Sequence, residues 1–121
     1  MAVNSYKKGA GFERTVRDLF RDNGYTDAYR TNQFQGNHEN GASDVSNTPF
    51  LHVECKAVER LNINDAVKQA SDDAKLQDKG EVPVVFHKKN HKPILVTMLS
   101  DDWFEFYGAW IKNKEKWKWT K

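Results

Sequence analysis

The chain has 121 residues, which fits one domain spanning residues 1–121 and leaves little room for a second. Hydrophobic residues make up 38% and charged residues 30%, a balance that suits a soluble protein with a modest core and excludes a disordered chain. The formal net charge of +2 does not by itself indicate nucleic-acid binding, so the distribution of charge matters more than its sum.

The expected compartment follows from the cysteine count and the apolar runs. Cys55 is the only cysteine and cannot form an internal disulfide, which favours a reducing environment. No stretch reaches the length of a membrane span, and the first residues lack the apolar run of a signal peptide. We therefore expect a cytoplasmic protein, in the host cell cytoplasm if a phage encodes it.

The first third of the sequence predicts a helix, a strand and a long loop. From Gly11 apolar residues recur at helical spacing, and Gly24 follows as a C-terminal cap. Tyr25 to Thr31 reads as a short strand. The polar stretch 32–42, rich in Gly and Asn, predicts a loop, and a loop of this length in a compact domain is often functional.

Two strands joined by a tight turn follow, at Ala42 to Ser46 and Phe50 to Cys55. Because side chains alternate along a strand, Val53 and Cys55 are expected on one face of the second strand, with Glu54 on the other.

A second helix is predicted from Asn62 or Asn64, both good N-caps, to about Asp78. Its apolar face is rich in alanine, which would let it lie close to a sheet. Val82 to His87 and Ile94 to Leu99 predict two further strands around a lysine-rich turn.

The C-terminal part predicts a short helix, capped by Asp101 or Asp102 and running through Trp110, and then a basic tail at 112–121. A strand, a crossover helix and a further strand indicate a mixed sheet with helices on its faces. The predicted fold class is thus α/β, with a central mixed β-sheet flanked by helices.

The residues with the clearest chemistry lie on the two strands joined by the tight turn. If these strands are neighbours, Asp44 and Glu54 come within a few ångströms of each other. Two such carboxylates repel strongly, and only a cation or a shared proton relieves that repulsion. A hard divalent cation, which takes oxygen ligands, is the natural solution. Lys56 lies two residues after Glu54 on the same face, where an amine can orient a water and stabilise phosphate charge. This combination points to phosphodiester hydrolysis.

An Asp followed after a short gap by Glu-x-Lys resembles the signature of the PD-(D/E)xK nuclease superfamily. The segment Gly9-Ala-Gly-Phe-Glu-Arg14 resembles the first helix of small archaeal-type Holliday junction resolvases and their phage relatives. The similarity in element order covers roughly residues 9–100 and implies a restriction-endonuclease-like fold. One departure is Ser43, which stands where the signature has proline, although that proline is not a metal ligand.

The resemblance also implies roles for individual residues. Glu13, Asp44 and Glu54 would hold the metal, with the backbone carbonyl of Cys55 as a further contact, and Lys56 would position the water. Gln69 matches the place of a polar helix residue near the site in this superfamily. A Ser or Thr from the segment before the Asp strand is also expected, and both Thr31 and Ser43 are candidates.

The function implied is that of a Mg²⁺-dependent Holliday junction resolvase, with Mn²⁺ as an alternative ion, in phage recombination or packaging. Such enzymes cut two strands symmetrically, which implies a homodimer acting on branched DNA. The alternatives are a nuclease of the same superfamily acting on linear or other branched DNA, or a non-catalytic DNA-binding module. A small-molecule hydrolase is disfavoured, since no Ser-His or Cys-His arrangement is present.

Basic residues near both ends are the candidate DNA contacts, because lysine and arginine neutralise phosphates. Trp117 and Trp119 could stack on bases, but we favour packing of these rings, in a final strand, against the core or a partner subunit. His52 is expected to be a half-buried histidine with satisfied hydrogen bonds. The candidate DNA-binding residues are Lys7, Lys8, Arg14, Arg17, Arg30, Lys116 and Lys118.

Overall fold

A computed structural model describes residues 5–31 and 41–119, which form three helices and five strands. Within these ranges no helix is long and apolar enough to cross a membrane. The elements are α1 (Ser5–Asp22), β1 (Tyr29–Arg30), β2 (Val45–Ser46), β3 (Leu51–Lys56), α2 (Ile63–Gln77), β4 (Val82–His87), β5 (Leu95–Thr97) and α3 (Ser100–Trp119).

The five strands form one mixed sheet in the order β1-β2-β3-β4-β5. Neighbouring strands are antiparallel except β3 and β4, which are parallel and are connected through α2. A parallel pair needs such a crossover, because a tight turn can only join antiparallel strands. The predicted α/β class with a mixed sheet and packed helices is confirmed, and β4 has the predicted bounds.

The core lies on both faces of the sheet. On one face α1 packs its buried Phe12 and Val16 against the sheet, where Val45 pairs with Val53 across the ladder. On the other face the small residues Ala66 and Ala70 of α2 pack against Val85 of β4. β3 is consequently covered on both faces, and side chains on its α2 side are shielded from water.

Several predicted bounds were wrong at the ends of the chain. α1 begins at Ser5 rather than Gly11, and β1 is only two residues long because residues before it form turns. α3 starts before Asp101 and Asp102, which lie in its first turn and do not cap it. The loop predicted at 32–42 lies outside the described residues from 32 to 40.

The predicted basic tail is helical, since α3 continues to Trp119. The expectation of a final strand there is therefore wrong. Lysine and glutamate have high helix propensity, and no glycine or proline follows Gly108 to end the helix. The side chains of Trp117 and Trp119 lie outside the described residues, so the choice between packing and DNA contact stays a prediction.

The start of α2 gives a direct test of the fold. Asn62 is the N-cap, and its side-chain oxygen accepts a hydrogen bond of 3.1 Å from the backbone N–H of Asp65. We expect Asn62→Ala to lower the free energy of unfolding by about 1 kcal/mol in urea denaturation, since an orphan helix N–H loses its partner. Asn64→Ala is the matched control, because Asn64 is exposed within the first turn. An equal loss in both variants would contradict the assignment of the cap.

Candidate active site

The pairing of β2 with β3 brings the two predicted carboxylates close together. Val45 pairs with Val53, and Asp44 lies in a bend directly before β2, close enough to Glu54 for the two carboxylates to interact. The N–H of Asp44 donates to the carbonyl of Val53 at 2.7 Å, which holds this bend against β3. Glu54 is only 5% exposed. The two acids thus lie close together, but Asp44 precedes β2 and does not lie within a strand from Ala42 to Ser46 as predicted.

The ionisation of Asp44 reflects this crowding. Its burial and the neighbouring Glu54 carboxylate raise the pKa of Asp44 from 3.8 to about 7, and Glu13 adds to the increase. A hydrogen bond from the backbone N–H of Cys55 to Asp44 Oδ2 (2.8 Å) and the charge of Lys56 act in the opposite direction. Asp44 is therefore a carboxylate that a positive charge would stabilise.

Cys55 contributes its backbone rather than its thiol. Peptide groups along a strand point alternately to its two neighbours. The carbonyl of Val53 and the N–H of Cys55 are both used by Asp44, whereas the carbonyl of Lys56 accepts from Lys88 on the β4 side. By this alternation the carbonyl of Cys55 lies on the β2 side of β3, the side from which Asp44 approaches. Burial and the nearby carboxylates raise the pKa of the Cys55 thiol, which makes it unreactive.

Glu13 reaches this region from α1, but it is already paired. Arg30 Nε lies 3.0 Å from Glu13 Oε1, and the two side chains are 9% and 13% exposed. Glu13 is still near enough to raise the pKa of Asp44. Arg30, proposed from the sequence as a DNA contact, is held in the interior by this ion pair.

Lys56 is half-buried two residues after Glu54, and its charge lowers the pKa of Asp44. Gln69 is exposed on α2, and its role at the site stays a prediction. The residue of α2 that approaches Glu54 is Asp73, one helical turn further on.

Asp73 and His52 form a second group with Glu54. Their ligand atoms all lie within 4.8 Å of one another, and His52 Nε2 is 3.4 Å from Glu54 Oε2. His52 is fully buried, and neither ring nitrogen has a hydrogen-bond partner among the described residues. The expectation of a half-buried, satisfied histidine was wrong, because α2 covers this part of β3.

Asp73 was missed in the sequence, although helical spacing offered a signal. It lies three residues after the buried Ala70 and next to Ala74, so it borders the stripe of α2 that faces the sheet. His52 and Glu54 are two apart on β3 and share the face that α2 covers.

The two candidate hydroxyl residues make contacts within the domain. Thr31 shares a hydrogen bond of 2.6 Å with the hydroxyl of Ser46. Ser43 Oγ accepts from the N–H of Val53 at 2.8 Å and lies 2.6 Å from the carbonyl of Val45, to which it can donate. Ser43 therefore completes the β2–β3 ladder where the signature has proline.

The proposed DNA-contacting side chains have different surroundings. Lys7, Arg14 and Lys116 are exposed, and Lys8 is half-buried. Arg17 forms an ion pair with Asp18 at 3.0 Å. The side chain of Lys118 lies outside the described residues.

Residues 4–121 match the family described as "Phage putative PDDEXK endonuclease". The chain belongs to this family. Neither the curated proteins nor the solved structures yield a significant match. Membership of the PD-(D/E)xK superfamily is thereby confirmed, and with it the assignment as an endonuclease-type domain.

The donor set of this PDDEXK family member fits a divalent cation. Asp44 and Glu54 could supply oxygen ligands, and Glu54 Oε2 is buried without a hydrogen-bond partner among the described residues. A buried anionic oxygen with no partner is costly, and a cation removes that cost. Lys56 is the adjacent cationic side chain.

The raised pKa of Asp44 links stability to pH in the metal-free endonuclease. The pKa of this carboxyl is higher in the folded than in the unfolded state. At a pH below the unfolded-state pKa the group is protonated in both states and does not lower the free energy of unfolding. Stability is then lost as the pH rises from about 3.8 to about 7, because the unfolded chain releases its proton first.

We therefore expect Asp44→Asn to stabilise the metal-free protein above this window and not below it. At about pH 8 in chelator the gain in unfolding free energy should exceed about 1 kcal/mol, since one pKa unit corresponds to about 1.4 kcal/mol. At about pH 4 it should vanish, as chemical denaturation at both pH values will show. Asp27→Asn, at an exposed position, is the control. A gain independent of pH would rule out this explanation.

Proposed function

We propose that this protein is a Mg²⁺-dependent endodeoxyribonuclease that hydrolyses phosphodiester bonds in four-way DNA junctions. The observation that carries the nuclease part is the close approach of Asp44 and Glu54, with Lys56 two residues after Glu54 on β3. The family match supports endonuclease chemistry. The resemblance of the first helix to junction resolvases supports the choice of substrate.

Asp44, Glu54 and the Cys55 carbonyl would hold the ion in this proposal. When bound, Mg²⁺ supplies Lewis acidity towards the phosphate and makes a coordinated water more acidic. Lys56 orients the attacking water and stabilises charge that develops on the phosphate oxygens. Arg30 keeps the Glu13 carboxylate beside Asp44, so that Glu13 adds negative charge to the metal site.

A basic groove beside the site supports the placement of DNA. Lys8 of α1 and the turn residues Lys88 and Lys89 line one surface groove together with Ala57, which directly follows Lys56. Three lysines around one groove can neutralise successive phosphates and direct the backbone towards β3.

A homodimer is part of the proposal, because symmetric cleavage of a junction needs two active sites. The surface of α3 supports it. Trp103 stacks on Tyr107 with ring centroids 5.1 Å apart, and Tyr107 stacks on Trp110 at 6.2 Å. All three rings are about half exposed, and among the described residues α3 adds none to either core cluster. An aromatic face of this kind is typical of an interaction surface.

The proposed activity predicts the behaviour of two conservative variants. Glu54→Gln and Lys56→Met should each reduce cleavage of a labelled four-way junction in Mg²⁺ by at least about a hundredfold, because each removes charge stabilisation in the reaction. DNA affinity measured in chelator should change little. The same arms as linear duplex serve as the comparison substrate, and Glu81→Gln and Lys75→Met as matched control variants.

Paired symmetric nicks in the junction alone, lost in chelator, are the expected result and would also support the dimer. Cleavage of both substrates would keep the nuclease and discard junction selectivity. Retained cleavage by either variant would overturn the assigned roles. DNA binding without cleavage in any metal would favour a non-catalytic binding module.

The basic groove predicts a separate effect on affinity. The double variant Lys88→Ala and Lys89→Ala should weaken binding of junction and linear DNA alike and reduce the slope of log affinity against log salt, by about 0.9 for each lost phosphate contact. Lys75→Ala with Lys79→Ala removes the same charge from exposed positions elsewhere. Equal effects of the two double variants in a salt titration would show that only net charge matters.

A further inference from the structure

We propose that His52, Glu54 and Asp73 form a second metal site, which takes a transition-metal ion such as Mn²⁺, Co²⁺ or Zn²⁺. The inference deepens the proposed function, since Glu54 belongs to both sites. It rests on side chains that the nuclease signature does not include, namely the imidazole of His52 and the carboxylate of Asp73.

The geometry of the three side chains is the first observation. One ligand atom from each lies within 4.8 Å of the others, so the three side chains could hold a single metal ion. His52 comes from β3 two residues before Glu54, and Asp73 comes from α2, which packs over this face of the sheet. The site is thus assembled from a strand and the helix that covers it.

The missing hydrogen bonds are the second and independent observation. His52 is 0% exposed, and its Nδ1 and Nε2 atoms have no hydrogen-bond partner among the described residues. Nε2 lies 3.4 Å from Glu54 Oε2, which also lacks one. Buried polar atoms are normally satisfied, and buried atoms without a partner are candidates to bind an ion or a water. A cation between Nε2 and Oε2 would satisfy both.

The chemistry of the donors decides the class of ion. One imidazole nitrogen and two carboxylates suit first-row transition metals, whereas Mg²⁺ prefers an all-oxygen shell. Mg²⁺ would therefore bind preferentially between Asp44 and Glu54. Mn²⁺, Co²⁺ or Zn²⁺ would bind preferentially at the site that includes His52. Asp73 is only partly buried, so an ion has a route to the site.

The backbone at Gly41 passes close to Asp73 on α2. Gly41 has a φ of +77°, and a Cβ built on it would lie 3.4 Å from Asp73 Oδ1 and 3.0 Å from a methyl carbon of Leu76. The absence of a side chain lets this segment pass directly against α2, which restricts the orientations open to the Asp73 carboxylate.

Co²⁺ is the probe for the test, because its visible absorption reports on ligands without any need for activity. The full-length protein is titrated with Co²⁺ in excess Mg²⁺. We expect one Co²⁺ to bind, and Asp73→Asn and His52→Gln each to weaken its affinity at least about tenfold and alter its spectrum, since even partners outside the ligand set typically contribute tenfold or more. Asp72→Asn, an exposed aspartate beside Asp73, should behave as the wild type.

Asp44→Asn separates this site from the proposed catalytic one. If the inference holds, this variant still binds Co²⁺ with the wild-type spectrum, even where it has lost cleavage. Wild-type affinity and spectrum in Asp73→Asn would overturn the inference, as would loss of Co²⁺ only in Asp44→Asn. Circular dichroism checks that His52→Gln is folded, and Asp73→Asn decides the question if it is not. Co²⁺ binding that needs His52, in a protein that cuts no DNA, would sustain this site and reject the nuclease proposal.

Discussion

The constraint on which the rest of the structure depends is the pairing of Val45 with Val53. It fixes the register of two strands whose apolar side chains must face α1, and a slip by one residue would turn them out of the core. The same pairing brings Asp44, which directly precedes β2, close to Glu54. Hydrophobic burial thereby stabilises an arrangement of charges that would be unfavourable by itself, which is how a small domain can hold two acids together without metal.

The helix α2 has a comparable effect on the other side of Glu54. Its buried face consists of Ala66, Ala70 and Ala74, and such small side chains allow the helix axis to lie near the sheet. This approach removes His52 from solvent and brings Asp73 to Glu54. Larger residues on this face of α2 would increase the distance between the helix and the sheet. The approach of Asp73 to Glu54 therefore depends on the small side chains of the alanines.

The sequence was sufficient for the sheet and for the central acids, because both follow from local patterns. Alternation along β3 and the turn before it predict that Asp44 and Glu54 meet. The second cluster could not be predicted in the same way, since it depends on how α2 is rotated and how close it lies. The ion pair between Glu13 and Arg30 could not be predicted for the same reason, because it joins elements that are distant in the sequence. The length of α3 was underestimated because a charged, lysine-rich segment suggests a solvated tail, although its propensity is helical.

The position of β3 has a consequence for how the protein loses activity. This strand has a neighbour on each side and a helix on each face, so its amide protons exchange with solvent only when most of the domain opens. Glu54 and Lys56 therefore lie on a strand that is well protected from local unfolding. Fraying at the chain ends leaves such residues in place, and heat inactivation should coincide with cooperative unfolding of the whole sheet rather than precede it.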